Sequence, residues 1–316
     1  MGNVLSGAAK AILSPILRRL DKSPEILREI EKNRMLIVQP RIREFHSTKE
    51  PLRLAEAEFQ VFSQWGEDGI IQYLLSRIAV ENKVFVELGV GNYRESNTRF
   101  LLQNNNWRGL VVDCDRESVA RIRTMELFWR HDLRAVRAFI SGDNVASLLK
   151  DAGVTGDIGL LSIDVDGNDY WIWKAIPAEV IYPRIVIVEY NSLFGRRFPV
   201  VVPYAADFTR AKAHYSGLYC GASLKALCLL ARQKGYLFAG SNSAGSNAFF
   251  VRADVAGQVP EVECEVGYVE SKVRDSRDEK GKLSFVSGPD RLKLIENEIV
   301  LNVETGQTMR VGELQT

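Results

Sequence analysis

The sequence predicts an α/β protein built on a mostly parallel sheet with helices on both faces. Two observations predict it. Short β-rich runs alternate with amphipathic stretches between about residues 56 and 255, and most of these runs end in an acid or a glycine. Such alternation is typical of parallel strands joined by crossover helices. The last two runs follow each other closely, which indicates a hairpin that adds an antiparallel strand.

The predicted elements follow one another in order. The strands are expected in the β-rich runs KVFVELGVG (83–91), RGLVVDCD (108–115), LRAVRAFIS (133–141), IGLLSIDVD (158–166), PRIVIVEYN (183–191), YLFAGSN (236–242) and NAFFVRA (247–253). The helices are expected in the stretches SNTRFLLQNN (96–105), SVARIRTMELF (118–128), NVASLLKDAG (144–153), NDYWIWKAI (168–176) and SLKALCLLARQKGY (223–236). Ser96 or Asn97 is expected to cap the first helix, and Gly153 and Gly235 to end the third and fifth.

Two extensions flank this region. Residues 1–55 predict a helical and irregular N-terminal extension, and residues 56–255 form the predicted α/β domain. Residues 256–316 are charged and predict a β-rich extension, with the β-like pieces LSFVS, EIVLNV and TMRVGEL. This extension is expected either to cover the mouth of a site or to build a homo-oligomer contact.

Composition excludes several classes of protein. Of 316 residues, 46% are hydrophobic and 26% are charged, as in ordinary globular proteins. The net charge of +1 provides no excess positive charge for binding nucleic acid, so a nucleic-acid partner is not expected. The four cysteines form no CxxC pair, so neither a disulfide framework nor a zinc site is predicted, and a cytoplasmic location is expected. No apolar window is long enough for a transmembrane segment.

The N-terminus carries its own signals. MGNVLS (1–6) fits the N-myristoylation pattern, with Gly2 and Ser6 in place. The amphipathic stretch that follows suits either peripheral membrane contact or, as the favoured interpretation, docking on its own domain or on a sister subunit.

Acids end four of the predicted strands. Glu87, Asp113, Asp164 and Glu189 follow the first, second, fourth and fifth strands. The carboxyl ends of parallel strands meet at one edge of the sheet, where open α/β folds bind their ligands. Four acids at that edge exceed what turn chemistry normally produces, so a ligand site is expected there.

The first strand ends in a glycine turn that suggests a cofactor. Gly89 and Gly91 let backbone approach a ligand closely, although a tight turn needs glycine anyway. Arg94 stands where a dinucleotide fingerprint has its third glycine, which favours a ligand with a carboxylate and an amine, such as S-adenosylmethionine. The predicted cofactor-binding residues are Gln64, Glu87, Gly89, Gly91, Asn92, Asp113, Ser141 and Asp164.

Some of these residues have rivals or simpler roles. Asp113 is expected to accept hydrogen bonds from the ribose hydroxyls, and Asp115 is the alternative residue for that role. The simpler interpretation is that either acid does no more than cap the next helix. Ser141 would meet the adenine edge, while Asp143 or Asn144 could cap the helix that follows.

The ordered motifs resemble the FkbM-like family of class I S-adenosylmethionine-dependent methyltransferases. The similar pieces are SQWGEDGIIQYLL (63–75), FVELGVGNYRESNTRFLL (85–102), GLVVDCD (109–115), LLSIDVDGNDYWIWKAI (160–176), IVIVEYN (185–191), GASLKALCLLARQKGY (221–236) and SNAFFVR (246–252). The resemblance implies a Rossmann-like, seven-stranded sheet with its last strand antiparallel. It also implies methyl transfer to an oxygen acceptor on a sugar, glycan or secondary metabolite.

The same resemblance implies a divalent metal held by acids at the ends of the fourth and fifth strands. It assigns Asp164 and Glu189 as ligands, with Asn191 as a third and Asp166 as its rival. Carboxylate and amide oxygens suit Mg²⁺, which could bind a sugar hydroxyl and lower its pKa. The simpler alternative is that Asp164 and Asp166 shape a turn and Asn168 caps a helix.

The catalytic residues proposed are Asp164, His214 and Asp169. His214 lies in a loop expected to overhang the acceptor pocket, and either it or Asp169 could take the hydroxyl proton. Two rival functions stay open at this stage. A nicotinamide-dependent oxidoreductase would use the same sheet, and a non-catalytic interaction module would use only its surface.

Overall fold

The computed structural model describes residues 23–315. The myristoylation pattern and the amphipathic stretch that follows it lie outside the described residues. The chain divides after Glu44 into two compact units, of which the second, 45–316, carries the sheet. Across the described part of the chain, no helix is both long and apolar enough to cross a membrane.

Seven strands form the main sheet, as predicted. The strands of the described chain are β1 (Val84–Leu88), β2 (Arg108–Asp113), β3 (Leu133–Arg137), β4 (Gly156–Ile163), β5 (Ile181–Glu189), β6 (Val200–Val201), β7 (Tyr236–Ser241), β8 (Asn247–Arg252), β9 (Ile299–Asn302) and β10 (Thr308–Arg310). The main sheet has the order β3-β2-β1-β4-β5-β8-β7, and β8 runs antiparallel to both neighbours. The expected Rossmann-like sheet of seven strands, with its last strand in the sequence antiparallel, is confirmed.

Strand register brings the predicted acids to one edge. Leu88, the last residue of β1, pairs with Ile163 of β4, which pairs in turn with Val188 of β5. Asp164 and Glu189 therefore follow these paired residues directly on neighbouring strands. The central strands read as continuous apolar runs because both faces of a parallel sheet are covered by helices.

Helices of the second unit cover both faces of the sheet. The helices of the described chain are α1 (Ser23–Ser47), α2 (Leu54–Ala57), α3 (Glu67–Arg77), α4 (Arg99–Asn104), α5 (Arg116–Thr124), α6 (Glu126–Arg130), α7 (Val145–Asp151), α8 (Asp169–Ala175), α9 (Arg210–Ala213), α10 (Leu224–Gln233), α11 (Cys264–Gly267) and α12 (Pro289–Lys293). One apolar core joins the sheet to α7, α8 and α10, and a second joins its other face to α3, α4, α5 and α6.

Two predicted helices begin or end differently. The helix expected from Ser96 begins at Arg99, because the segment before it is held by a buried acid of β1. The helix expected over 118–128 begins at Arg116, capped by Asp115, and breaks into two at Met125, whose backbone is extended. The predicted glycine ends hold: Gly153 and Gly235 have φ of +69° and +81°.

The C-terminal segment is less regular than its sequence predicts. EIVLNV and TMRVGEL contain β9 and β10, which form a three-stranded sheet with β6. LSFVS contributes only an isolated bridge at Leu283 to Arg277. Short helices and irregular backbone make up much of the rest.

Candidate active site at the carboxyl edge of the sheet

A cavity of about 940 Å³ opens at the carboxyl ends of β1, β2, β4 and β5. Its lining includes seven of the residues predicted for a site, which are Gln64, Gly89, Gly91, Asp113, Asp164, Asp166 and Glu189. Residues 208–217 and 275–281 contribute the other side. The sheet therefore gathers most of the strand-end residues around one space.

The glycine turn after β1 has two different requirements. Gly89 has a φ of +83°, and a Cβ there would lie 1.6 Å from the backbone oxygen of Asp164, so only glycine fits between β1 and β4. A Cβ on Gly91 would meet no atom within 4 Å, and this residue lines the cavity. Gly91 thus leaves room on the cavity side of the turn.

Asp113 connects the turn to the end of β2. Its Oδ2 accepts a hydrogen bond from Gly91 N (2.7 Å), and its Oδ1 accepts one from Asp115 N (2.8 Å). Asp113 lines the cavity and is half-buried. Asp115 instead caps α5 by accepting from Ser118 N (2.8 Å), which separates the two rivals.

Glu87 is buried and does not line the cavity. Its carboxylate accepts hydrogen bonds from Ser96 Oγ (2.6 Å), Asn97 N (2.9 Å) and Thr98 Oγ1 (2.5 Å). Burial raises the pKa of Glu87, and these donors oppose that rise. The acid therefore fixes the segment between the glycine turn and α4.

Two other predicted cofactor residues lie outside the lining. Asn92 Oδ1 accepts from Arg94 N (3.0 Å), which closes a local turn. Ser141 is buried, and its backbone N donates to Asn144 Oδ1 (2.9 Å). At the end of β3, the exposed ring of Phe139 lines the cavity instead.

Three carboxylates converge at the floor of the cavity. One oxygen each of Asp164, Asp166 and Glu189 lies within 4.8 Å of the other two. Asp164 follows β4, Glu189 ends β5, and Asp166 has a φ of +57° that turns it back toward them. This is the one group of three potential metal ligands among residues 23–315, and its all-oxygen donor set suits a hard divalent cation.

The cluster is electrostatically costly without a cation. Asp164 is open to the cavity, but protein encloses it on the other sides, and this partial desolvation together with Asp169 and Asp166 raises its pKa to about 8. Burial and the charge of Asp164 raise the pKa of Glu189 well above its usual range. The acids repel one another unless a proton or a metal lies between them.

Asp169 has a structural task in the same loop. It is 1% exposed, and its two oxygens accept hydrogen bonds from Val165 N (2.8 Å) and Gly167 N (2.9 Å). Burial raises its pKa to about 6. Asp169 shapes the turn that presents Asp164 and Asp166, and it does not line the cavity.

Asn191 and His214 do not line the cavity, and His214 is not part of the carboxylate cluster. Asn191 Nδ2 donates to Leu218 O (2.9 Å) and Cys220 O (3.0 Å), so its amide supports the loop after β6. His214 Nδ1 lies 2.7 Å from Ser216 Oγ, and it is Tyr215, Ser216 and Gly217 that line the cavity.

Sequence reasoning missed Arg210. Its Nη1 lies 3.3 Å from Asp166 Oδ1, its Nη2 lies 3.8 Å from Asp275 Oδ2, and its Nε donates to Gly217 O (2.5 Å). This guanidinium partly neutralises the cluster and joins it to the C-terminal segment. No local pattern signals the role, because α9 and residue 275 reach the site only through the tertiary fold.

The tryptophans beside the acids are structural. Trp173 is 1% exposed and packs on Phe250, with ring centroids 4.9 Å apart. Trp171 Nε1 donates to Val202 O (2.9 Å) and is not among the residues that line the cavity.

Comparison with known proteins adds a set of structural likenesses. No protein-family profile matches the chain, and no curated protein matches it. Matching solved structures include the pyocyanin biosynthetic protein PhzM (12% identity, TM-score 0.35, covering 58% of this chain and 54% of PhzM). Others are M. capricolum TrmK in complex with S-adenosyl-homocysteine (11%, 0.37, 62% and 74%) and the N-terminal domain of EvdMO1 in the presence of S-adenosyl-homocysteine and D-fucose (11%, 0.38, 68% and 93%).

These likenesses are distant, and the chain spans about half the length of PhzM. With every TM-score below about 0.5, they carry no argument about activity. The strand order itself defines a Rossmann-like fold, and the site on it is an acidic cavity at the carboxyl edge.

Proposed function

We propose that the protein is an S-adenosylmethionine-dependent O-methyltransferase, assisted by a divalent metal such as Mg²⁺, that methylates a sugar hydroxyl in a glycan or secondary metabolite. One observation carries the proposal. A glycine turn linked to Asp113 and a cluster formed by Asp164, Asp166 and Glu189 face the same cavity. A methyl donor and a metal-bound acceptor need adjacent subsites of these two kinds.

The residues around the glycine turn fit the cofactor. The open space beside Gly91 would admit the cofactor, and the carboxylate of Asp113 would accept hydrogen bonds from the ribose hydroxyls. The exposed ring of Phe139 offers an apolar face to the adenine base. S-adenosylmethionine supplies a methyl group activated on a sulfonium cation. Acids around the cavity favour binding of a positively charged ligand.

The carboxylate cluster fits the metal. Asp164, Asp166 and Glu189 would hold it, and water or the acceptor would supply the other oxygens. A bound divalent cation supplies Lewis acidity that lowers the pKa of the acceptor hydroxyl. Arg210 would then hold Asp275 and the loop at Gly217 beside the cluster.

The acceptor proton also needs a destination. Among the three predicted catalytic residues, Asp164 alone lines the cavity, whereas the two candidate bases, His214 and Asp169, do not. We therefore keep Asp164 in the catalytic set as a ligand of the metal. Once the metal had lowered the pKa of the acceptor hydroxyl, the proton would leave to solvent in the open cavity.

Calorimetry with S-adenosylmethionine and S-adenosylhomocysteine tests the cofactor assignment. We expect micromolar binding of both, weakened about tenfold by Asp113→Asn because one charge-assisted hydrogen bond to the ribose is lost. Asp115→Asn is the matched control, since it removes a neighbouring acid that caps α5. Absence of binding to the wild-type protein at high micromolar concentration would rule out the proposal.

The oxidoreductase alternative is disfavoured by the local backbone. β1 ends at Leu88 and the next helix begins only at Arg99, so no helix N-terminus follows the glycine turn to receive a diphosphate. A fluorescence titration with NADH checks this directly, and no saturable signal is expected. Binding of neither cofactor would favour the interaction module.

A further inference from the structure

Two of the four thiols meet between α10 and the C-terminal segment. Cys228 is 6% exposed on α10, Cys264 is half-buried at the start of α11, and the two side chains are electrostatic partners. Cys264 packs against the apolar core that contains Cys228. This pair could not be predicted from the sequence, because its members lie far apart in the chain and in no metal-binding pattern.

Ion pairs on both sides fix the register of the two thiols. Lys225, Cys228 and Arg232 are spaced by three and four residues, so they share one face of α10. Lys225 Nζ lies 3.8 Å from Glu265 Oε1. Arg232 Nη2 lies 3.8 Å from Glu261 and 3.9 Å from Glu263. These exposed ion pairs contribute little energy. They nevertheless lie on either side of the two thiols, so they hold α10 and the segment around Cys264 in one alignment.

The backbone around Cys264 is also held against the sheet. Val262 N donates to Phe238 O of β7 (2.8 Å). A Cβ on Gly267 would lie 2.5 Å from the ring of Phe238, so the segment lies close against that side chain. These contacts keep Cys264 beside α10.

The two thiols differ in reactivity. The interaction with the Cys228 side chain lowers the pKa of Cys264, and the charge of Lys225 adds to that effect. The same interaction, together with burial, raises the pKa of Cys228. Cys264 is therefore the more nucleophilic and the more accessible sulfur, with a resolving thiol in contact.

We propose that Cys228 and Cys264 form a reversible redox site, at which a hydroperoxide oxidises the pair to a disulfide. The Cys264 thiolate attacks the terminal oxygen of the hydroperoxide, the O–O bond breaks, and the products are a sulfenic acid and an alkoxide, or hydroxide when the oxidant is hydrogen peroxide. The Cys228 sulfur then attacks the sulfenic sulfur, the S–S bond forms, and water leaves with the thiol proton. A dithiol reductant such as a thioredoxin would return both thiols.

Zinc binding is the other chemistry that a thiol pair suggests, and the surroundings do not favour it. Structural zinc needs four ligands, and among the described residues no third His, Cys, Asp or Glu ligand joins these two sulfurs in a group.

The disulfide would fasten the root of the C-terminal segment to the sheet domain. Farther along, this segment supplies Asp275, Arg277 and Asp278 to the cavity lining. Its other anchors are hydrogen bonds, such as Tyr190 Oη to Val269 O (2.7 Å) and Tyr268 Oη to Ser192 O (2.7 Å). The inference stands on this packing and does not depend on the proposed function.

Hydrogen peroxide titration of the full-length protein tests the site. Intact mass under non-reducing conditions should fall by two hydrogens, and peptide mapping should link Cys228 to Cys264. Oxidation should raise Tm by roughly 5 °C, reversibly with dithiothreitol, because the cross-link restricts the unfolded chain.

Single variants separate the two roles. Cys228→Ser should stop at a sulfenic acid on Cys264 that dimedone traps, Cys264→Ser should abolish both products, and Cys114→Ser should leave the cross-link unchanged. Should a variant fail to fold, the peptide map of the wild-type protein still decides. A map that shows other pairings, or Cys264 over-oxidised without a disulfide, would overturn the inference.

Discussion

The two ends of β4 and β5 carry acids in opposite circumstances. At the amino ends, Asp157 receives hydrogen bonds from Arg184 Nη2 (2.6 Å) and Arg252 Nη1 (3.1 Å). At the carboxyl ends, Asp164 faces Asp166 and Glu189. Arg184 lowers the pKa of Asp157, whereas partial burial and the other acids raise that of Asp164.

The contrast separates stability from function. The amino end satisfies its charges within the chain: Arg184 also donates to Ala79 O (2.5 Å), and Arg252 to Tyr182 O (2.6 Å). The carboxyl end leaves like charges together beside a cavity, a cost that folding alone does not explain. Groups held at such a cost are typical of sites completed by a ligand.

Replacing the paired acid should have the largest effect on stability. Asp157→Asn removes the charge that compensates two nearly buried arginines, whose side chains are 11% and 6% exposed. We expect a loss of about 2 kcal/mol, discounted because Asp157 is itself partly exposed. Urea denaturation at pH 8 with EDTA measures it.

Asp164→Asn is the matched change at the other end. Removing one charge from the cluster should leave stability unchanged or raise it by about 1 kcal/mol in EDTA. An equal loss of stability in Asp157→Asn and Asp164→Asn would contradict the proposed difference between the two ends of the strands.

The two ends should also respond oppositely to pH. The pKa of Asp164 is raised to about 8 in the folded protein, so between about pH 4 and pH 8 the folded state holds a proton that the unfolded chain has lost. Its contribution to stability therefore falls as pH rises through that window. The lowered pKa of Asp157 gives stability that is present above about pH 4 and is lost as pH falls further.

Thermal melts in EDTA from pH 3 to pH 9 follow both contributions. Asp164→Asn should flatten the fall between about pH 5 and pH 8 and leave the acid limb as it is. Asp157→Asn should do the reverse. Identical pH profiles for the two variants would contradict the assignment.

A smaller effect is expected at Arg210, the cation beside the acid cluster. Arg210→Met frees Asp166 and removes a competing positive charge, so Mg²⁺ affinity should rise about threefold. Arg210→Lys is the control that keeps the charge, and it should change affinity less. Weaker Mg²⁺ binding by the methionine variant would instead assign Arg210 a supporting role.

Much of this architecture could be predicted from the sequence, because strand runs and their order are local signals. Parallel pairing then required Asp164 and Glu189 to follow neighbouring strands at the same edge. The distinction between Asp113 and Asp115 was not predictable, since both follow β2 and only their hydrogen bonds separate them. Glu87 likewise looked like a ligand, although its carboxylate points to the segment before α4.

What could not be predicted depends on contacts between distant segments. Arg210 and Asp275 meet the cluster from separate loops, and Asp157 pairs with Arg252 across 95 positions of the chain. Asn191 follows β5 as predicted, but its amide is taken up by the loop at Leu218.

Calorimetric titration of Mg²⁺ at pH 8 tests the central claim most directly, namely that the clustered acids at the carboxyl ends of β4 and β5 form a metal site. The wild-type protein should bind one ion per chain. Asp164→Asn and Glu189→Gln should each lose at least about tenfold in affinity, because a direct ligand is removed, and Asp157→Asn should bind as the wild type does. No saturable binding, or equal loss in the Asp157→Asn variant, would contradict the account.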